Sequence, residues 1–255
     1  MIRLIPEPES ENLRAKPMKY YRRLNPIQAM TFDLDDTFYA NHPYIVEAEQ
    51  QMFAFMQQHW PETASLGKPA WRQFRREVVR ETPACRHDMI ALRRAVLAKM
   101  FGAIGLTGDA LADAISRSYD TFYFHRSHFK VPDEYVTVLK QLAHKVPLMA
   151  ITNGNVDIAR IGLDGCFERV YHASSTMRSK PFPDMFELAC RDLKVPAQSI
   201  LHVGDNLEKD VAGAVMAGFQ AAWYAENRTM NLNREQAHLL PHIALDSLSE
   251  LLQLI

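Results

Sequence analysis

From about Val131 to Tyr224 one pattern recurs: a short apolar run followed by a stretch with helical spacing. The apolar runs are Pro147 to Ile151, Arg169 to His172, Ser199 to Val203 and Phe219 to Tyr224. Helices are expected over 133–143, after Asn155, over 183–194 and over 207–217, the last closed by Gly218 at a C′ position. Few folds satisfy this alternation. Strands that are apolar on both faces must be covered above and below, and helices of that length supply right-handed crossovers between parallel neighbours. The pattern therefore predicts an α/β fold built on a parallel sheet.

An earlier strand is expected over about Gln28 to Phe32, within an apolar segment of Ile27, Ala29, Met30 and Phe32. Between it and the repeating region the periodicity changes. From Tyr44 to about Phe124 apolar residues recur with helical spacing, as in Ile45, Phe53 and Met56 and later Ile90, Ala91, Val96 and Leu97. Pro43 is placed to open this helical block, and breaks fall near Pro61 to Pro69, Thr82-Pro83 and Gly102 to Gly108. The expected division is an N-terminal extension over 1–25, a core over 26–42 and 126–255, and a helical insert over 43–125. Residues 1–17, with Pro6, Glu7, Pro8, Glu9 and Glu11, read as a polar tail dispensable for chemistry.

A length of 255 residues fits a core with an insert, and a formal charge of -1 gives no electrostatic reason to expect nucleic acid or an anionic membrane as partner. No apolar stretch approaches the ~18 residues a membrane span needs. The three cysteines, Cys85, Cys166 and Cys190, form no C-x-x-C pair. They read as reduced thiols, so disulfides and zinc are not expected and a cytoplasmic setting is.

Open parallel sheets place their sites beyond the carboxyl ends of the strands. The first strand ends in Asp33-Leu34-Asp35-Asp36-Thr37, and period-two alternation puts Asp33 and Asp35 on one side of the chain. Two carboxyl groups held there can divide labour as nucleophile and proton donor. Ile151 is followed by Thr152-Asn153-Gly154, a hydroxyl and a turn whose N–H groups suit phosphoryl oxygens, although the triplet also reads as a plain turn. Lys180-Pro181 follows the strand ending near His172. That lysine either neutralises a phosphoryl group or is a solvated surface charge. Val203 is followed by Gly204-Asp205-Asn206, with Asp210 one helical turn beyond, and Asp205 equally fits a helix N-cap. Each piece alone is weak. Their shared order, each after an apolar strand, gives the pattern its weight.

These four stretches resemble the ordered motifs of the haloacid dehalogenase superfamily, with coverage from about residue 26 to the C-terminus and a helical insert similar to the superfamily's C1-type cap. The resemblance implies a Rossmann-like core and a Mg²⁺-dependent phosphomonoester hydrolase. It implies Asp33 as nucleophile and Asp35 as acid and base. Thr152 and the Asn153 N–H would grip phosphoryl oxygens, beside Lys180. The metal ligands implied are the Asp33 carboxylate, the Asp35 backbone carbonyl and the Asp205 carboxylate, with Asp210 orienting a metal-bound water or pairing with Lys180. A phosphate dianion beside Asp33 and Asp205 needs such a hard cation to offset repulsion. Asp35 must keep its proton to act first as an acid; neighbouring carboxylates favour this, while Lys180 and a cation oppose it. An acid at position 35 argues against dehalogenation, which has no leaving alcohol to protonate.

Further segments, among them Met18-Lys19-Tyr20-Tyr21-Arg22, Leu201-His202-Val203-Gly204-Asp205 and Leu240-Pro241-His242-Ile243, resemble a phosphatase group acting on 5-amino-6-(5-phosphoribitylamino)uracil, a riboflavin precursor, and on FMN. A small phosphate ester is thus the expected partner; oligomeric state is open. Another sugar or nucleotide phosphatase, a sugar phosphomutase and a non-catalytic binding module are the alternatives. In the insert, Trp60, Trp71, Phe74, Tyr119, Phe122, Tyr123 and Phe124 are expected to form mainly its own core. Arg72, Arg75, Arg76, Arg93 and Arg94, with Phe38, Tyr39 and His87, are further candidate contacts.

Overall fold

The computed structural model describes residues 18–235 and 238–255; the expectation for the tail over 1–17 lies outside the described residues. The strands are β1 (Lys19–Tyr20), β2 (Ala29–Phe32), β3 (Leu148–Thr152), β4 (Arg169–His172), β5 (Ile200–Gly204), β6 (Gln220–Trp223) and β7 (Ile243–Ala244). They form one sheet in the order β1-β7-β6-β5-β2-β3-β4, parallel throughout except for β1 against β7. The central position of β2 matters most. Phe32 is in register with Ala150 of β3 on one side and Val203 of β5 on the other, so three strands end at one level.

Alternation along the strands builds two cores. Met30, Phe32, Leu148, Ala150, Leu201 and Val203 face one layer, closed by Tyr135, Leu139 and Leu142 of α5 (Asp133–Ala143) and by Leu248 and Leu251. Ala29, Met149, Ile151 and Ile200 face the other, closed by Met185, Phe186 and Ala189 of α6 (Asp184–Leu193). The helical block consists of α1 (Asn41–His59), α2 (Gly67–Glu81), α3 (Met89–Ala103) and α4 (Gly108–Arg126). It has a separate core whose buried members run from Ala48 to Phe122 and include Met52, Trp71, Leu97, Phe101 and Phe122. Among the described residues no helix is long and apolar enough to cross a membrane.

Three local expectations are corrected. No helix follows Asn155: turns fill the crossover, with the Asp157 carboxylate accepting from the Ala159 and Arg160 N–H groups, and Gly162 and Gly165 at φ 88° and 71°. Side-chain bonding to the backbone and left-handed glycines compete with helix propagation there. The helix over 207–217 begins as a π-helix, Leu207–Ala212, and continues as α7 (Gly213–Met216). The boundary at residue 25 left Lys19 and Tyr20 outside the core. They form the edge strand, paired with Ala244 and Ile243, and Asn25 donates to Gln220. A two-residue strand has no periodicity to read, and its partner is more than two hundred residues away.

Candidate active site

The carboxyl ends of β2, β3 and β5 converge on one cavity of about 240 Å³, lined by Asp33, Asp35, Thr152, Asn153, Lys180, Asp205 and Asp210, with Ile45, Met89, Arg93, Phe122 and Arg126 from the helical block. Every residue selected from the four motifs is therefore on its wall. Lys180, anticipated either as a ligand for phosphate or as a surface charge, is 3% exposed. Its Nζ lies 2.7 Å from Asp33 Oδ1 and 2.6 Å from Asp210 Oδ1, and donates to the Ile151 carbonyl at 2.6 Å. The Asn153 side chain fixes the backbone that carries it: Oδ1 accepts from the Lys180 N–H at 2.7 Å and Nδ2 donates to its carbonyl at 3.0 Å. The Asn153 side chain is thereby committed to the Lys180 backbone, and its own backbone N–H remains to offer a phosphoryl group. Thr152 Oγ1 accepts from the Gly154 N–H at 3.0 Å, which leaves the hydroxyl proton to donate.

Asp35 has partners that sequence reasoning missed or named only as loop contacts. Arg126, fully buried at the end of α4, donates to its Oδ1 at 2.5 Å, and so does the Tyr39 hydroxyl at 2.5 Å. The basic group touching Asp35 is Arg126; Lys180 instead bonds Asp33 and Asp210. Asp36, at φ 63°, makes the left-handed turn that folds Tyr39 back, and its N–H donates to the Tyr39 carbonyl. Burial, reinforced by Asp35, pushes the Tyr39 phenol well up, so it remains a donor. Burial opposes the Arg126 charge, but Asp35 and Tyr39 raise its pKa overall. Asp35 also needs Gly154, where a Cβ would lie 2.3 Å from its Oδ2.

Asp205 is not the helix cap. Asn206 fills that role, accepting from the N–H groups of Glu208 and Lys209. Asp205 is held from outside by Arg228, whose Nη1 lies 2.8 Å from Oδ2, and Trp223 Nε1 donates to its carbonyl at 2.7 Å. Asp210 lies below, accepting from the Asn206 N–H at 3.0 Å and 3.3 Å from His202 Nε2.

Carboxylate oxygens of Asp33, Asp205 and Asp210 fall within 4.8 Å of one another. Burial pushes the Asp33 carboxyl well above the usual range; Lys180 opposes this, while Asp210 and Asp205 add to it. Asp205 is pushed up to about 7 by burial and by Asp210, against Arg228. Burial would raise Asp210 too, yet Lys180 and the His202 hydrogen bond hold it below the usual carboxylate range. Asp210 already has its cation. Asp33 shares that cation and Asp205 faces Arg228, so three buried carboxyls meet two cations, and an all-oxygen donor set suits a hard divalent ion such as Mg²⁺.

Of the other candidates, Phe38 is packed in the sheet core and Arg72, Arg75 and Arg76 are exposed on α2. His87 Nδ1 lies 2.8 Å from Ser179 Oγ, beside the Lys180 loop, and only Arg93 of the five named arginines lines the cavity.

The model of the haloacid dehalogenase-like hydrolase family matches residues 27–218. The chain is 39% identical over 239 residues to the 5-amino-6-(5-phospho-D-ribitylamino)uracil phosphatase YigB of Escherichia coli (strain K12), covering 93% of this chain and 100% of that one. It is 26% identical to a glyceraldehyde 3-phosphate phosphatase of Methanopyrus kandleri over 90% of this chain and 97% of that one. The crystal structure of a 2-haloacid dehalogenase from Pseudomonas syringae pv. Tomato DC3000 superposes with a TM-score of 0.82 at 32% identity, over 89% of this chain and 97% of that one. With the motif residues gathered beyond the carboxyl ends of the strands and the family model spanning most of the chain, this protein belongs to the haloacid dehalogenase-like hydrolases.

Proposed function

We propose that the protein is a cytoplasmic, Mg²⁺-dependent phosphomonoesterase that works through an aspartyl phosphate on Asp33. Its proposed substrates are 5-amino-6-(5-phosphoribitylamino)uracil and FMN, which share a ribityl phosphate. The observation that carries the reading is the buried Lys180 ammonium, 2.7 Å from Asp33 Oδ1 at the floor of the cavity. One carboxylate oxygen of Asp33 is anchored there, leaving the other to attack.

In the first step that oxygen bonds to phosphorus, the bond to the leaving oxygen breaks, and Asp35 transfers its proton to that oxygen, releasing the alcohol. Asp35, now a carboxylate, takes a proton from water as the water oxygen attacks phosphorus and the bond to Asp33 breaks. Inorganic phosphate leaves and both aspartates return to their starting states. Thr152 and the Asn153 N–H hold the phosphoryl oxygens, while Lys180, its three ammonium protons engaged by Asp33, Asp210 and the Ile151 carbonyl, acts on them through its charge. Bound Mg²⁺, held by the Asp33 and Asp205 carboxylates and the Asp35 backbone carbonyl, would neutralise charge on the phosphoryl group. Asp210 positions Lys180, and the helical block serves as the cap.

Asp35 also separates this reading from dehalogenation. A halide departs without a proton, whereas an alkoxide needs one, and here a carboxyl held by Arg126 and Tyr39 lines the cavity beside Asp33. The choice of substrate is supported by the 39% identity with the ribitylaminouracil phosphatase along that protein's whole length.

Phosphate release should be measured in Mg²⁺ buffer from the ribitylaminouracil phosphate, FMN, nucleotides and sugar phosphates. The first two are expected to show the highest kcat/KM, and Asp33→Asn to lower turnover by ~10⁴-fold while the protein stays folded. Wild-type turnover in that variant would refute the covalent scheme.

A further inference from the structure

The cavity wall contributed by the helical block is only partly neutralised and partly hydrogen-bonded. The Arg93 guanidinium lies over the Phe122 ring, 3.5 Å from its centroid, and 5.3 Å from that of Trp71. Stacking fixes the plane of the guanidinium and leaves its N–H edge to make hydrogen bonds. Glu49 uses that edge poorly, its Oε1 accepting from both Nη atoms at 3.4 Å. Burial lowers the Arg93 pKa to about 10 despite that pairing. Arg126, on the same wall, spends Nη2 on Asp35 and leaves Nε and Nη1 without partners among the described residues; Asn41 Oδ1, at the α1 end of the wall, also lacks one.

We propose that Arg93, stacked on Phe122, is a specificity-determining residue whose N–H edge binds carbonyl oxygens of a planar, uncharged leaving group. The inference rests on the phosphatase reading above and names what that site selects. Charge balance favours a neutral acceptor over a second anion: Arg93 already faces Glu49, and Arg126 already faces Asp35. Ile45, Met89 and Phe122 supply apolar contact for the faces of a ring, while Arg93 reads its edge. A uracil ring attached through a ribityl chain has this chemistry. Ribitol 5-phosphate has the same phosphoester and no ring.

The test compares kcat/KM for 5-amino-6-(5-phospho-D-ribitylamino)uracil with that for ribitol 5-phosphate in the wild type, Arg93→Met and Arg93→Lys. In the wild type the ring-bearing substrate is expected to be preferred by 100-fold or more. Arg93→Met should reduce that ratio at least tenfold, chiefly through KM. Arg93→Lys, which keeps the charge but lacks the planar fork, should leave it reduced. Turnover of ribitol 5-phosphate reports folding within the same experiment, and Arg93→Lys serves where Arg93→Met does not fold. An unchanged ratio in both variants would overturn the subsite. A wild type that releases phosphate from neither compound would instead defeat the phosphatase reading.

Discussion

The two walls of the cavity are built on opposite terms. On the sheet side the charges interlock: Lys180 bonds Asp33, Asp210 and the Ile151 carbonyl, Asp210 also meets His202 and the Asn206 N–H, and Arg228 holds Asp205. On the helical side, among the described residues, Arg93 has one long, shared partner and Arg126 and Asn41 keep unpaired polar atoms. A buried network that is nearly satisfied is rigid, and rigidity suits a reaction whose atoms must be placed within a fraction of an ångström. An unsatisfied wall has hydrogen bonds still to give. It suits selection, because a substrate can complete it.

The contrast is broken most severely by Lys180→Met. Two buried carboxyls, Asp33 and Asp210, would lose their common cation, at a cost of about 3–5 kcal/mol in the urea unfolding free energy without metal. Turnover should fall by ~10³-fold in a phosphate-release assay. Retention of both values would mean that the sheet wall does not depend on its central charge.

Arg126→Met tests whether the helical wall also reaches into the chemistry. With Arg126 gone, Asp35 keeps Tyr39 alone, and kcat for an alkyl phosphate should drop by roughly 10–100-fold. p-Nitrophenyl phosphate, whose leaving group needs little protonation, should lose far less. Equal losses on both compounds would assign Arg126 a purely structural role.

Asp205 gives the comparison a pH signature. Its folded pKa, raised to about 7, lies above the unfolded carboxylate value, so the metal-free folded state binds more protons than the unfolded one between those two values. Its contribution to stability therefore falls as pH rises across that window. A divalent ion needs the deprotonated form, and Mg²⁺ affinity should be about tenfold weaker at pH 6 than at pH 8. Calorimetric titration with Mg²⁺ measures this; equal affinities would mean that no carboxyl among the ligands, Asp205 included, titrates between pH 6 and 8.

The smallest effect concerns the contact between the two regions. Asp88 caps α3 by accepting from the Ala91 N–H at 2.8 Å, and its other oxygen accepts from the Ser175 N–H at 3.1 Å in the loop leading to Lys180. Asp88→Ala should cost about 1 kcal/mol, read as a lower melting temperature. A loss confined to stability would mean the bridge does not help to align the walls, whereas a parallel rise in KM would show that it does.

How far these features could be read in advance depended on distance along the chain. Asp33 and Asp35 are two residues apart after an apolar strand, and Thr152, Lys180 and Asp205 each follow their own strands, so local pattern and parallel topology suffice to bring them together. Tyr39 entered only as a further candidate contact, because its bond to Asp35 depends on the left-handed turn at Asp36. Arg126 left no signal. It is one of many arginines on amphipathic helices, and its partner lies 91 residues earlier. The crossover after Asn155 failed for the opposite reason, since local side-chain bonding there outweighed the helical spacing expected between strands.

By itself, then, the order of residues determined the layered sheet, the helical insert and the acidic and basic groups that meet at the cavity. Strand periodicity and chain connectivity are local properties that survive without knowledge of the packing. Only the tertiary structure decided which arginine meets Asp35, that Lys180 sits between two carboxyls, and that Arg93 lies stacked on Phe122 in the cavity wall. The first depends on how the helical block meets the sheet, and all three rest on contacts between residues too distant in sequence to leave a pattern.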